Sequence, residues 1–134
     1  MQGNIHYRNA EFEQALGIYT ECIEKLDFSN KTPEISQSYA TIYSNRAMTY
    51  IKLNDYIKAE RDCATSLELN GNLAKSFHRR GVCRKRLGKY KLALNDFKKA
   101  DEIEANNAET INEITNINHI IQKKIEQTRK NLVI

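Results

Sequence analysis

Cationic side chains are concentrated in residues 73–95, LAKSFHRRGVCRKRLGKYKLALN, which hold eight Lys or Arg residues and no acid. A helix turns by about 100° per residue, so Lys75, Arg79, Val82 and Arg86 would share one face. Guanidinium and ammonium groups donate charge-assisted hydrogen bonds to carboxylates, and such a face would therefore bind an acidic ligand. The other cations of the stretch fall on other faces, where we expect a solvated surface: Arg80, Arg84, Lys85, Lys89 and Lys91.

An internal repeat supplies the elements that would position this face. Residues 54–69 align with residues 88–103 at an offset of 34, and the preceding helix follows the same offset. Residues 11–26 align with the second unit at an offset of 44. The aligned positions keep the residue types that close helix packing requires, small in one slot (Ala15, Ala59 and Ala93) and aromatic in another (Phe12, Tyr56 and Tyr90). Helical periodicity alone would suit any bundle, whereas a matched period of 34 indicates stacked repeats.

Each unit is predicted to be two short amphipathic helices joined by a turn, and the three turns fall at Asn9-Ala10, Asn54-Asp55 and Gly88-Lys89. Thr32-Pro33-Glu34 is a helix start, because it combines a hydroxyl N-cap, Pro in the first turn and an acid near the positive end of the helix. The second unit should therefore begin with an extended helix from about residue 33 to residue 52. Beyond residue 107, isoleucines on one side predict a closing helix over the last repeat: Ile111, Ile114, Ile117 or Ile121, and Ile125.

The repeat offsets transfer the cationic face of the third unit to the two earlier units. The offset of 34 gives Asn45, Met48 and Lys52, and the offset of 44 gives Asn4 and Arg8. Three parallel helices would then present two rows along one groove, Asn4, Asn45, Lys75 and Arg79 in the first row and Arg8, Lys52 and Arg86 in the second. The amides add neutral donors to the cations, which suits a carboxylate ligand. An apolar side chain of a bound peptide is expected to contact Tyr7, Met48 and Val82.

This pattern resembles the tetratricopeptide repeat over nearly the whole chain. The resemblance places repeats at about residues 3–26, 39–70 and 73–104, and a capping helix at about residues 107–130. It implies an all-α fold in one domain of residues 1–134, a right-handed α-solenoid of three helical hairpins plus a C-terminal capping helix.

The candidate binding residues resemble the carboxylate clamp of co-chaperone tetratricopeptide domains. Asn45 stands within YSNRA, Lys75 and Arg79 stand within KSFHRRG, and Asn4 resembles the other Asn of the clamp. The resemblance implies a non-enzymatic adaptor, without a cofactor, that binds the Glu-Glu-Val-Asp tails of the seventy- or ninety-kilodalton heat-shock chaperones. The family's clamp also has a Lys one helical turn before its first Asn. That position would precede the first residue here, and Arg8 is the available substitute.

Other functions remain open at this stage. The same residues suit a repeat scaffold that binds a different acidic or internal peptide. The run Arg84-Lys85-Arg86 suggests a basic nucleic-acid module, although the stretch lacks aromatic platforms on which bases would stack. The tail Leu132-Val133-Ile134, or the insertion between the first two units, would suit a scaffold or a homodimer. An enzyme is not indicated, because no nucleophile–base pair, metal-ligand set or Gly-rich phosphate loop can be assembled.

Composition sets the expected environment. The three cysteines, Cys22, Cys63 and Cys83, are an odd number without Cys-x-x-Cys spacing, and they are predicted to be reduced, mostly buried thiols of a cytoplasmic protein. No apolar run approaches the length of a membrane span. The net charge of +4 is modest. We therefore expect a monomer, alone or within a larger protein, that binds no nucleic acid, membrane or metal.

Overall fold

The computed structural model describes residues 2–26, 29 and 32–132, with side chains from residue 8 onward. This part of the chain contains six α-helices and no strand: α1 (Gln2–Glu24), α2 (Pro33–Lys52), α3 (Tyr56–Leu69), α4 (Ala74–Arg86), α5 (Tyr90–Ile103) and α6 (Ala108–Leu132). Each helix packs on the next one along the chain, and α2 also contacts α4. Such nearest-neighbour packing defines a helical solenoid, so the predicted all-α solenoid is confirmed. Within the described ranges, no helix has both the length and the apolar character that crossing a bilayer requires.

The turns of the second and third units lie where the sequence predicts them. Asn54 and Gly88 adopt left-handed backbone angles, with φ of 62° and 78°, which Asn and Gly tolerate better than other residues. They connect α2 to α3 and α4 to α5 as two helical hairpins. The predicted start of α2 is also confirmed, because the Thr32 side chain accepts a hydrogen bond from the Ile35 amide at 3.3 Å.

The predicted turn at Asn9-Ala10 is wrong, because α1 is one continuous helix from Gln2 to Glu24. The repeat offsets align Ala10 with Asn54 and Gly88. Alanine is the best helix former, and its β-carbon disfavours the left-handed angles that the other two turns use. The first repeat predicted at residues 3–26 is therefore a single helix here, and two hairpins lie between it and the closing helix.

The two hairpins fill the same core positions with exchanged volumes. In the second unit, Ala47 packs with Ala59 and Cys63, and all three are fully buried. In the third unit, the offset of 34 replaces Ala47 by Gly81 and Cys63 by Phe97. A β-carbon on Gly81 would lie only 2.9 Å from the Phe97 ring. The larger side chain on one helix is therefore accommodated by the loss of a side chain on the other.

The closing helix α6 is present, and its central isoleucines cover the last hairpin as predicted. Ile117 is fully buried against Ala93 and Phe97, with Ile114 and Ile121 packed beside it. The prediction fails for Ile111 and Ile125, which are each 43% exposed. For Ile125 the cause is length, since α6 has 25 residues and the α5 helix that it covers has 14. Ile111 lies about 120° around α6 from the buried Ile117. Leu132 is also exposed, and Val133 and Ile134 lie outside the described residues.

The cysteines follow the prediction in part. Cys63 and Cys83 are buried free thiols, whereas Cys22 is exposed on α1. A hydrogen bond with Cys83, together with burial, raises the pKa of the Cys63 thiol far above its ordinary value. This thiol is therefore a core side chain and not a reactive one.

A bidentate ion pair recurs at the same place in both hairpins. Arg46 in α2 donates to both carboxylate oxygens of Asp62 in α3, at 2.7 and 2.8 Å. Arg80 in α4 donates in the same way to Asp96 in α5, at 3.0 and 2.8 Å. The offset of 34 relates the two pairs, and each pair ties the first helix of its hairpin to the second. Because Arg80 adjoins Arg79, the second pair also fixes how α4 presents its cationic face.

Candidate functional site

Arg79 reaches from α4 across to α2, where it meets Asn45. Its Nη1 atom donates to the carbonyl oxygen of Ser44 at 2.9 Å, to Ser44 Oγ at 3.0 Å and to Asn45 Oδ1 at 3.4 Å. These acceptors are neutral, and Arg79 forms no ion pair with a carboxylate of the described residues. Burial lowers the pKa of Arg79, but a guanidinium remains protonated at neutral pH. Arg79 is thus a partly desolvated cation without a counter-charge.

Asn45 presents a free donor beside this cation. Its Oδ1 atom faces Arg79, and its Nδ2 atom donates no hydrogen bond within the part of the chain that the structure describes. The residue is half-buried on α2, so its helix limits how far the side chain can move. An amide nitrogen next to a guanidinium can donate to the same carboxylate.

Lys75 lies one turn before Arg79 on α4, is exposed, and forms no ion pair in the described ranges. Lys75 and Arg79 together line two adjoining concavities of about 410 and 200 Å³. Asn45 lines the first concavity and Met48 lines the second. The structure thus brings together four of the predicted residues, Asn45, Met48, Lys75 and Arg79, and we call this surface the candidate groove.

Two glutamates that the sequence analysis did not single out border the candidate groove. Glu104 lines both concavities and Glu109 lines the second. Both are exposed and lie around the junction of α5 and α6, outside the repeated face. Their carboxylates would repel an anionic ligand. The candidate groove is therefore cationic towards α2 and anionic towards α6, which gives it a direction for an acidic peptide.

His78 lines the second concavity beside the two cations. Its Nδ1 atom lies 3.0 Å from Thr110 Oγ1, and its ring meets the Phe97 ring edge-on with centroids 5.2 Å apart. Burial lowers the pKa of His78 below its ordinary value of 6.5. The imidazole is therefore neutral at pH 7 and adds no charge to the candidate groove.

The predicted second row is divided in the structure. Arg8 and Lys52 line one concavity with Phe12, apart from the candidate groove. Arg86 instead places its guanidinium 5.8 Å from the ring centre of Tyr56. The peptide-contacting role predicted for Val82 is also not seen in the lining, because Val82 packs against the core of the last hairpin.

Asn4 and Tyr7 belong to the helical backbone of α1, and their side chains lie outside the described residues. Their predicted roles therefore stay predictions. Arg8, which was predicted to stand in for a clamp lysine, is exposed. Asn4, Tyr7 and Arg8 all lie on α1, which continues to Glu24.

The solvated surface predicted for the other cations is wrong for three of the five, because Arg80, Arg84 and Lys85 are partly buried in ion pairs. Lys89 is exposed, although it is also paired. Arg80 pairs with Asp96, Arg84 bridges Glu60 and Asp96, Lys85 pairs with Glu113, and Lys89 pairs with Glu60. The acids are supplied by α3, α5 and α6, so the basic stretch shows no acid of its own. Burial opposes the charge of Glu60, yet hydrogen bonds from Lys89 and Arg84 hold its pKa below the ordinary value. Lys91 is exposed, as predicted.

The ion pairs of the hairpins were the main feature that sequence reasoning missed. Their signal was present, because the offset of 34 that aligns Asp62 with Asp96 also aligns Arg46 with Arg80. Opposite charges that recur together at the repeat offset indicate that the same ion pair forms in each hairpin. Elsewhere in the described ranges, no cluster of three or more His, Cys, Asp or Glu side chains is arranged to hold a metal ion.

The sequence model of the tetratricopeptide repeat matches residues 40–73 and 74–107. These two matches cover 68 of the 134 residues, which is half of the chain. They contain the second hairpin and, from residue 40 onward, the first, with the Asn54 and Gly88 turns and the repeated ion pairs. The chain therefore belongs to the tetratricopeptide repeat family.

Similar proteins sharpen this assignment. The chain is 38% identical over 79% of its length to the translocon at the outer membrane of chloroplasts 64 from Pisum sativum. Its fold is similar to the first repeat domain of Spaghetti (RPAP3) bound to the HSP90 peptide SRMEEVD, with a TM-score of 0.74, 27% identity and coverage of 90% of both chains. It is also similar to the second repeat domain of human RPAP3 in complex with the HSP70 peptide SGPTIEEVD, with a TM-score of 0.69, 33% identity and coverage of 87% and 89%. The chain spans about a sixth of the length of the curated relatives it matches.

Proposed function

We propose that this chain is an adaptor domain that binds the acidic C-terminal tail of a seventy- or ninety-kilodalton heat-shock chaperone. The terminal carboxylate would bind between Asn45, Lys75 and Arg79, and Asn4 on α1 stays a predicted further donor. The domain would recruit the chaperone, and it would perform no chemistry itself.

The observation that carries this proposal is the contrast between Arg79 and the other partly buried arginines. Arg46 and Arg80 each hold an aspartate through two hydrogen bonds. Arg79 has comparable burial but only neutral acceptors, Ser44 and Asn45. A desolvated cation without a counter-charge is unfavourable in a folded protein, and such groups are retained mainly at functional sites. A ligand carboxylate would supply the missing charge.

The surroundings of Arg79 favour a peptide whose C-terminal carboxylate is preceded by a small apolar side chain. Lys75 and the free Nδ2 atom of Asn45 add donors on either side of the guanidinium, so that both oxygens of a carboxylate can be bound. Met48 offers an apolar surface, and Tyr7 stays a predicted further contact. Peptides ending in Glu-Val-Asp meet these requirements, and two similar repeat domains are bound to such peptides.

Additional carboxylates of the tail have a second place to bind. Arg8 and Lys52 lie together across one concavity, although Glu11 also lines it. We expect these cations to attract the upstream glutamates of the tail through partly screened contacts, each worth no more than about 1 kcal/mol. The nucleic-acid alternative is not favoured, because Arg84 and Lys85 are already paired with carboxylates.

Calorimetric titration with the two peptides SRMEEVD and SGPTIEEVD tests the proposal. We expect dissociation constants of about 1–10 µM, which correspond to roughly 7–8 kcal/mol. An amide at the peptide C-terminus should weaken binding at least about tenfold, because it removes the charge that Arg79 and Lys75 contact. Equal binding of the free and amidated peptides would show that the chain binds internal acidic segments instead. No binding of either peptide would refute the proposal.

A further inference from the structure

A separate concavity lies between the start of α5 and the second half of α6. It shares no lining residue with the candidate groove. Its volume is about 600 Å³, and its floor is apolar: Tyr90, Leu92, Ile121 and Ile125. Leu92 and Ile125 remain 47% and 43% exposed. We call this surface the α5–α6 groove.

The α5–α6 groove exists because α6 is longer than the hairpin that it closes. Ile117, at the centre of α6, is fully buried against the last hairpin. Ile121 and Ile125 lie one and two turns further on, where the described chain offers only the turn at Gly88 and the first residues of α5. Part of an apolar helix face is thereby left without a partner, although it is continuous with the core.

The rim of the α5–α6 groove is cationic. Lys89, Lys91, Lys124 and Arg129 line it, and no acid does. Lys89 is paired with Glu60, but the other three form no ion pair within the described ranges. The Lys124 ammonium stands 4.7 Å from the ring centre of Tyr90, which places its charge over the apolar floor.

We propose that the α5–α6 groove docks an acidic amphipathic helix of a partner protein. Aliphatic side chains spaced by one helical turn would pack between Leu92 and Ile125, and flanking carboxylates would meet Lys91, Lys124 and Arg129. A second copy of this chain is a poor occupant, because it carries a net charge of +4 and would bring like charges to the rim. A bilayer is also a poor occupant, since a flat surface cannot fill a concave floor.

A synthetic helical peptide tests this proposal by fluorescence anisotropy. The peptide has about 18 residues, or five turns, with Leu along one face and Glu along both flanks. One control peptide carries Lys in place of Glu, and the other carries Ala in place of Leu. We expect the full chain to bind the first peptide and neither control.

Paired variants of the protein locate the binding. Leu92→Ala/Ile125→Ala should weaken binding of the acidic peptide at least tenfold, whereas Ile57→Ala removes an isoleucine that is 61% exposed outside the groove and should have no effect. Lys91→Ala/Arg129→Ala should weaken binding severalfold and flatten its salt dependence, while Lys98→Ala should not. All these side chains are exposed, so the fold is retained.

Several results would overturn the proposal. One is equal binding of a control peptide, and another is binding that survives the Leu92→Ala/Ile125→Ala change. If the acidic helix does not bind, self-association that depends on Leu92 and Ile125 would assign the groove to a second copy of the chain. Sedimentation with phosphatidylserine vesicles that depends on the same two residues would assign it to a membrane. Competition by SRMEEVD would show a single shared site. Lys75→Ala/Arg79→Ala should leave affinity for the helical peptide unchanged, because the two grooves share no lining residue.

Discussion

Two adjacent arginines on α4 have opposite environments. Arg80 points to α5 and holds Asp96 through two hydrogen bonds. Arg79 points to α2 and finds only the neutral groups of Ser44 and Asn45. Neighbouring residues on a helix point about 100° apart, so they meet different elements of the solenoid. Both arginines carry the same charge, so the groups that each one contacts explain why Arg80 stabilises the fold and Arg79 is proposed to bind a ligand.

Arg79→Ala should weaken binding of SRMEEVD by about 2 kcal/mol or more, because a charge-assisted contact is lost from a partly desolvated site. Calorimetry measures the change in affinity, and circular dichroism reports whether helicity is retained. Lys98→Ala removes an exposed cation of α5 and is the matched control. Unchanged affinity, or loss of helicity in the variant, would contradict the assignment of Arg79.

His78 gives the free protein a pH dependence near neutrality. Burial lowers its pKa below 6.5, with Glu109 and Glu113 favouring the protonated form and Arg79 opposing it. The unfolded chain takes up a proton below about pH 6.5 that the folded chain takes up only at lower pH. The stabilising contribution is thus complete above that pH and is lost as the pH falls through the folded pKa.

Urea unfolding at pH 7.5, 6.5 and 5.5 tests this dependence in the parent, in His78→Gln and in His119→Gln. We expect the parent to lose stability over this range by less than about 1.4 kcal/mol per pH unit. The loss should be smaller in His78→Gln, while His119→Gln, which alters an exposed histidine, should follow the parent. Parallel pH profiles for all three proteins would show that the histidine pKa is the same in both states.

At the scale of the elements, the two hairpins solve one packing problem in two ways. The second unit places Ala47 opposite Cys63, and the third places Gly81 opposite Phe97. In the third unit the larger side chain on α5 lies against a position of α4 that carries no side chain. Aligned positions of the repeat are therefore coupled in pairs, and neither member can be exchanged alone.

Gly81→Ala should destabilise the protein by about 1–3 kcal/mol, because the new β-carbon would lie 2.9 Å from the Phe97 ring. Thermal or urea unfolding measures the change. Adding Phe97→Cys recreates the pairing of the second unit, so the double variant should be more stable than the sum of the single changes. Gly17→Ala is the control, since nothing lies within 4 Å of its β-carbon. Additive effects of the two core changes would show that these positions are not coupled.

The repeated aspartates should differ in their contribution to stability. Asp96 accepts hydrogen bonds from Arg80 and Arg84, whereas Asp62 accepts from no described side chain except that of Arg46. Removing one partner of a buried ion pair costs about 3–5 kcal/mol, because the other charge is left unpaired. We expect Asp96→Asn to lower the free energy of unfolding by more than Asp62→Asn. Equal losses in urea unfolding would mean that the contact to Arg84 contributes nothing.

The sequence predicted the elements better than it predicted the contacts between them. The Asn54 and Gly88 turns were predictable, because a left-handed turn needs residues that tolerate it. The same repeat pattern also predicted a turn at Ala10, but alanine prefers the helix, and no turn forms there. Charges were harder, since residue spacing shows which face a side chain occupies but not which residues of another helix lie opposite. Asn45 and Arg79 could be brought together by register alone, whereas Glu104 and Glu109 could not, because they lie where the last repeat meets α6 and outside the transferred face.

Across the whole molecule, positive charge is used in three ways. Part of it is paired in the network that joins α3, α4 and α5 through Glu60 and Asp96. Another part lies unpaired in the candidate groove, at Lys75 and Arg79. Arg46 and Lys85 likewise pair with Asp62 and Glu113, and the remaining described cations, the third group, are exposed. Only the second group is placed for short contacts with a bound tail, while the third acts through long-range attraction that salt screens.

The last prediction separates these two contributions. Lys75→Ala/Arg79→Ala should abolish measurable tail binding at about 0.15 M salt, where charges more than roughly 8 Å apart are largely screened. The matched control is Lys98→Ala/Lys123→Ala, which removes two exposed cations outside the candidate groove. Arg84 and Lys85 cannot serve as controls, because their loss would also break ion pairs within the fold.

For the control pair we expect the binding free energy to weaken by less than about 0.7 kcal/mol. This loss should arise mainly from slower association and only at low salt. Stopped-flow kinetics at three salt concentrations would resolve the two effects. The dissociation rate of the control pair should equal that of the parent, because no short contact has been removed. If both pairs instead lose the same affinity at every salt concentration, the tail is held by general basicity, and the register that joins Asn45, Lys75 and Arg79 has no part in recognition.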